Sequence, residues 1–186
     1  MIFKNLTFIS ILSLISIKAS LAVCPKDWID SDLESDEYYG HMGCLYFGTS
    51  LSVAWNEAQD FCSYLNSDSH LVEIFSEDQQ HFLMVMALEF EVLGNEKRNW
   101  WIGLTDEGSE GTWYWSKSNQ VANFTSWGTG QPTNIGCGGN GLPANYGVLA
   151  HWVSYNWSDY DLTSALCGSP NYPICQISNN GFDENK

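Results

Sequence analysis

The chain has 186 residues, with 22 Asp and Glu against seven Lys and Arg, and a formal charge of −15 at pH 7. So large an excess of acid argues against nucleic acid or anionic lipid as a partner, because both demand a positive surface. Neutral sugars, cations and basic proteins remain compatible.

Residues 1–22 read as a secretory signal peptide. Lys4 supplies a positive n-region, and Leu6 to Ile17 form an apolar run too short to span a bilayer comfortably. Ser20-Leu21-Ala22 then places small residues at the −3 and −1 positions of a cleavage site, making Val23 the mature start. An uncleaved membrane anchor is the competing reading, disfavoured by the short run and the good cleavage site. The mature chain is expected to be one domain, residues 23–178, with an acidic tail, residues 179–186. Five basic residues and all 22 acids lie past residue 22, so the processed chain carries −17. No further segment approaches ~20 apolar residues, so no stable membrane insertion is expected and the protein reads as secreted.

The segment Cys24–Ser50 carries Asp30, Asp32, Glu34, Asp36 and Glu37, then Cys44-Leu45-Tyr46-Phe47, the pattern of a disulfide-closed hairpin. A helix comes next, with Ser52 as its expected cap and Trp55, Ala58, Cys62 and Leu65 as its apolar face. Ser76-Glu77-Asp78-Gln79 opens a second helix as a capping box. Phe82, Met86, Phe90 and Leu93 are its expected core stripe, and Gly94-Asn95 its end. Beyond residue 98 the pattern changes to short strands separated by Gly, Asn and Ser, so the class is α+β. Gly136–Gly141 has the composition of a surface loop.

The six cysteines, Cys24, Cys44, Cys62, Cys137, Cys167 and Cys175, lie behind a secretory leader in even number. They imply three disulfides, with 15 arithmetically allowed pairings. There is no C-x-x-C, and His41, His70, His81 and His151 have no metal-ligand spacing to the cysteines, so zinc and redox chemistry gain little support. Gly136–Gly141 matches G-x-G-x-x-G, but Leu142-Pro143 comes where a helix should open. With no G-x-S-x-G and no H-E-x-x-H, no enzyme is expected.

Trp101-Ile102-Gly103-Leu104 is letter for letter the WIGL motif of C-type lectin-like domains. Trp55, Ala58 and Cys62 resemble that family's first helix, and Leu71-Val72-Glu73-Ile74 the segment before its second. Gly111 with Trp113-Tyr114-Trp115-Ser116 resembles its G-x-W-x-W-S strand, and Pro173-Ile174-Cys175 its closing strand. Gln131-Pro132-Thr133 and Trp157-Ser158-Asp159 sit where the family has its Glu-Pro-Asn (or Gln-Pro-Asp) triplet and Trp-Asn-Asp. The resemblance covers roughly residues 24–177. It implies two helices packed on short antiparallel sheets, a long loop region and three disulfides. It further implies Cys24–Cys44 and Cys62–Cys175. The family's partner for Cys167 lies on the strand at Tyr146–Leu149, where this chain has no cysteine, and Cys137 in the preceding loop is left for that role.

Sugar-binding members hold Ca²⁺ in the long loop and complete its coordination with two sugar hydroxyls. Carried over by motif, the ligands are Gln131, Thr133, Ser158 and Asp159, with a cis Pro132 aiming both flanking side chains at the ion. Gln131, Pro132, Thr133, Asn134, Ser158 and Asp159 form the expected carbohydrate site. Thr133 replaces Asn or Asp, Ser158 replaces Asn, and residues 134–154 contain no Asp or Glu, although Asn134, Asn140, Asn145 or Asp161 offer oxygens. One carboxylate implies a feeble, degenerate site, at or beyond the ~10⁻⁴–10⁻³ M range of extracellular Ca²⁺ modules. The implied function is glycan or glycoprotein binding with weak Ca²⁺ dependence, and the alternative is a Ca²⁺-independent domain for a protein ligand. Trp127, Trp152 and Trp157 are expected in the core, and Asn123 and Asn156 head glycosylation sequons.

Overall fold

The structure is a computed structural model that describes residues 24–31, 41–135, 142–162 and 171–178. The signal segment, the Gly136–Gly141 loop, Cys137, Cys167, Asn140 and the tail past Ser178 lie outside the described residues, as does the expected third disulfide.

Strand β4 (Asn99–Thr105) is the centre, and all seven of its residues are buried. Alternation of side chains along a strand sends them to opposite faces of the sheet. Trp100, Ile102 and Leu104 enter one core with Leu149, Trp115 and Trp157, while Trp101 enters a second with Val148, Ala150 and Tyr160. Two apolar faces require two covers. Helix α1 (Trp55–Leu65) closes the second core with Trp55, Ala58 and Cys62, and helix α2 (Glu77–Gly94) closes the first with Phe82, Leu83 and Ala87.

Around β4 the remaining strands are β1 (Ile29–Asp30), β2 (Cys44–Phe47), β3 (His70–Leu71), β5 (Tyr114–Trp115), β6 (Tyr146–Ala150), β7 (Asn156–Tyr160) and β8 (Asn171–Ile177). The order is β1-β2-β8-β4-β6-β7, with β3 on β8 and β5 on β4. Pairings are antiparallel as expected, except that β8 runs parallel to β4 between Asn99↔Asn171 and Trp101↔Pro173. The sheet is therefore mixed, because β8 lies antiparallel to β2 on one edge and beside β4 on the other.

Disulfides Cys24–Cys44 and Cys62–Cys175 form as the family resemblance implies, the second tying α1 to β8. Local signals fared unevenly. The α1 cap is Ala54 rather than Ser52, and Glu57 supplies the acceptor for the Ala54 N–H at 3.0 Å. Ser76 caps α2 through the Gln79 N–H, and Asn95 ends it in the left-handed region. The α2 core face includes Gln80, Leu83 and Ala87, and Leu93 is exposed instead of belonging to it. A final-turn residue beyond the last point of contact with the sheet has nothing to pack on.

Gly103 is where backbone meets backbone. Its N–H donates to Val72 O at 2.8 Å and its carbonyl accepts from Ser116 N at 2.7 Å. A Cβ there would stand 2.9 Å from Leu71 O. Gly103→Ala is expected to lower the unfolding free energy by about 1–3 kcal/mol, the range of core overpacking, in a urea titration.

Candidate functional site

Strand β7 presents the site. Trp157 anchors it: the ring is fully buried and stands edge-on to Trp115, Phe124 and Trp127 at 5.6 to 5.7 Å. Its Nε1–H donates to Gln80 Oε1 at 2.6 Å, joining β7 to α2. Residues 126–128 run alongside, with Trp157 N donating to Ser126 O and Gly128 N to Trp157 O. Two residues on, Asp159 pairs with Gly147 of β6. The β4–β6 ladder slips between Trp101 and Thr105, and a Cβ on Gly147 would meet Leu104 Cβ at 2.8 Å. An irregular ladder beside a binding position is a common way to re-aim a side chain.

The Asp159 carboxylate organises the loop. Thr133 N donates to Asp159 Oδ2 at 2.7 Å and Thr133 Oγ1 to Oδ1 at 3.2 Å, while Asn134 N also donates to Oδ2. Gln131 Oε1 in turn accepts from Asp159 N at 3.2 Å. The Gln131–Pro132 bond is cis, and Gly130 and Asn134 both have positive φ, so the chain turns on either side of the triplet. Pro132, Thr133 and Asn134 are exposed, whereas Ser158 and Asp159 are buried. Hydrogen bonds thus join Gln131, Thr133 and Asn134 to Asp159, with Pro132 between the first two, while the Ser158 hydroxyl has no hydrogen-bond partner among the described residues.

As a Ca²⁺ shell this set does not fit. Ca²⁺ takes six to eight oxygens, with carboxylates to offset its dehydration. Both Asp159 oxygens and the Gln131 oxygen already accept hydrogen bonds, and Ser158 Oγ is buried. Among the described residues no three His, Cys, Asp or Glu converge. Loop donors occupy the Asp159 oxygens where a cation would sit.

A neighbouring acid carries no motif that marks it in the sequence. Asp106, the residue after β4, is buried and receives the Gly111 N–H at 2.8 Å on Oδ2, yet its Oδ1 has no partner among the described residues. Asn145 Oδ1, whose backbone carbonyl accepts from Asp106 N at 3.2 Å, is likewise unpartnered. Burial raises the Asp106 carboxyl above its ordinary range, aided by the negative charges of Glu110 and Asp159 and opposed by the Gly111 amide. The available signal was a carboxylate placed directly after an unbroken buried strand. Asp161, weighed as a spare ligand, is buried.

Trp127 and Trp157 are core as expected, but Trp152 is not: it is 51 % exposed, and its N–H donates to the Tyr160 hydroxyl at 2.9 Å. It lies on a 3₁₀ turn (His151–Val153) between β6 and β7, outside the sheet. Of the sequon asparagines, Asn123 is exposed. The Asn156 amide is engaged at both ends, accepting from Ser126 Oγ and donating to Val153 O, each at 3.0 Å.

Comparison with known proteins is consistent with this geometry. Residues 51–177 match the family model described as the lectin C-type domain. The chain is 32 % identical over 133 residues to perlucin of Haliotis laevigata, covering 72 % of this chain and 75 % of that protein. It is 33 % identical over 134 residues to the hepatic lectin of Gallus gallus, covering 72 % of this chain and 54 % of the latter. Among solved structures, the mouse scavenger receptor C-type lectin carbohydrate-recognition domain aligns with a TM-score of 0.62 at 27 % identity, covering 84 % of this chain and 99 % of that one. A calcium-independent type II antifreeze protein shares the fold at a TM-score of 0.59 and 18 % identity, covering 84 % of this chain and 96 % of that one.

Two outcomes are expected. Asp159→Ala leaves the amides of Thr133 and Asn134 without their acceptor, so hydrogen exchange at both should accelerate by about tenfold or more while the sheet amides stay protected. For Asp106 the folded state holds its proton more tightly than the unfolded chain, so this group lowers stability as pH rises from about 3.9 through its raised value. In metal-free buffer Asp106→Asn should therefore raise the melting temperature at pH 7, and the gain should vanish in melts run below the unfolded carboxylate range.

Proposed function

This chain belongs to the C-type lectin domain family, and from that premise we propose that it is a secreted protein that binds glycans or glycoproteins through the outer face of the Gln131–Asn134 loop, with weak Ca²⁺ dependence. The observation that carries the reading is the Asp159 carboxylate, which orders the loop from within by accepting the Thr133 and Asn134 amides. An ordered loop needs no metal to become a surface, and preorganisation lowers the cost of binding.

The exposed groups are the side chains of Thr133 and Asn134 and the ring of Pro132. The Thr133 hydroxyl is already engaged with Asp159 and Ile135, so the Asn134 amide is the neutral donor and acceptor beside one small apolar ring, which suits an uncharged sugar better than an ion. The acidity of the whole chain opposes anionic glycans. Any Ca²⁺ would be held by Asp106 and Asn145, whose buried oxygens lack donors among the described residues. The ion would satisfy those acceptors and offset the like charge between Asp106 and Asp159, with no role in the sugar contacts. One carboxylate and one amide oxygen make that a weak site.

Secretion is supported by the leader read in residues 1–22. Among the described residues no helix is long and apolar enough to cross a membrane. The family and its fold are generally not enzymatic, and no catalytic role is proposed.

A second reading is favoured by the same bonds. Because the Asp159 and Gln131 oxygens are committed internally, a sugar diol has no ion to complete at this position, and the exposed loop would then contact a protein ligand instead.

Thermal unfolding in 10 mM Ca²⁺ and in EGTA, with a glycan array in both buffers, separates these readings. A Kd of about 1 mM gives a stabilisation of about 1.4 kcal/mol in 10 mM Ca²⁺. Asp106→Asn should remove that shift, and neutral-glycan binding should persist in EGTA at reduced strength. An array blank in both buffers sinks the carbohydrate reading.

A further inference from the structure

Helix α2 is apolar on two sides. Phe82, Leu83 and Ala87 fill the core. Val85, Leu88 and Val92 stand at i, i+3 and i+7, which at 3.6 residues per turn places them within about 60° of the helix circumference. They are 43, 46 and 79 % exposed, and Leu93 beside them is 75 % exposed. A surface helix ordinarily turns charged and polar residues outward, and an apolar stripe on that side is the mark of a helix covered there as well.

Charge narrows what covers it. The 18 residues of α2 include Glu77, Asp78, Glu89 and Glu91 and no Lys or Arg. Helical geometry sets Asp78 and Glu89 along one edge of the stripe and Glu91 along the other. Glu91 is held in place by the Tyr155 hydroxyl at 2.6 Å. A second copy would set these acids against their own kind, on chains that each carry −17 once residues 1–22 are removed. An anionic bilayer would be repelled in the same way. A partner with an apolar side flanked by cations satisfies both the stripe and its rim.

We infer that the outward face of α2 docks an amphipathic, basic segment of another protein. Its apolar side covers Val85, Leu88 and Val92, and its Lys or Arg side chains pair with Asp78 and Glu89, the helix-in-groove mode of recognition with charge setting orientation. This surface is separate from the Asp159 loop and stands or falls independently of glycan binding.

The test uses the intact secreted protein and a labelled peptide of leucines and lysines patterned as an amphipathic helix, read by fluorescence anisotropy. Saturable binding is expected, weakened about tenfold or more by Leu88→Gln with Val92→Gln. Asp78→Asn with Glu89→Gln keeps the apolar stripe, and should weaken binding less while flattening its dependence on salt. All four positions are exposed, and far-UV melts establish that both double variants fold. The inference is overturned if both variants bind as wild type does, or if a leucine–glutamate peptide of the same pattern binds equally well. It is also overturned if sedimentation finds a wild-type dimer that Leu88→Gln with Val92→Gln dissociates, or if neutral phosphatidylcholine vesicles retain the wild type and not that variant.

Discussion

The fold depends on one strand being buried on both of its faces. Every residue of β4 is covered, so the chain must supply an apolar layer above it and another below. A strand read as NWWIGLT cannot be half-solvated, because its two tryptophans point in opposite directions and both are fully buried. Gly103 adds the second condition. Only a residue without a Cβ lets the Leu71–Val72 backbone and the Ser116 turn bond to the middle of that strand from outside the ladder. Helix α1 is then fastened to β4 by Trp55, whose Nε1–H donates to Ile102 O at 2.9 Å, and to β8 by Cys62–Cys175.

This arrangement carries the binding loop at the ends of its strands. Asp106 follows the end of β4, Asn145 precedes β6 beside it, and β7 delivers Asp159 opposite Gly147. Three independent segments thus bring oxygens to one edge of the sheet. In this chain the central carboxylate is used as an acceptor for the loop's own N–H groups. Hydrogen bonds to a charged group contribute about 1.5–3 kcal/mol each, enough to hold a short turn without further help. The same bonds remove the lone pairs that a cation would need, so internal order and tight metal binding compete for Asp159.

The surface is dominated by acid because so few cations are left to balance it. The only arginine, Arg98, is buried. It donates to Phe90 O at 2.9 Å, pairs with Glu96 at 2.8 Å and lies 5.4 Å over the Tyr172 ring. It thereby closes the C-terminal end of α2, which has no basic residue within its own last turn. A guanidinium spent inside the molecule leaves an outer surface suited to neutral or positively charged partners.

The division between sequence and structure tracks the range of the forces involved. Periodicity placed both helices, and motif order gave the family, the α+β class and the Cys24–Cys44 and Cys62–Cys175 pairs, because helix faces, caps and strand cores are set by neighbours within a few residues. The nearness of Gln131–Asn134 to Asp159 follows the order of motifs in the family resemblance. What no local pattern carried was the use to which those residues are put. That Thr133 and Asn134 donate to Asp159, 26 and 25 positions away, depends on where β7 sets Asp159 against the loop. That Asp106 is a buried acid facing other acids depends on a loop folding over the end of β4. That Leu93 is exposed and Trp152 half-exposed depends on how far each helix turn reaches beyond its neighbour. The residues themselves set composition and periodicity. Only the packed chain decided which oxygens meet donors and which apolar faces go uncovered, because hydrogen bonds and burial are settled by contacts between segments distant in sequence.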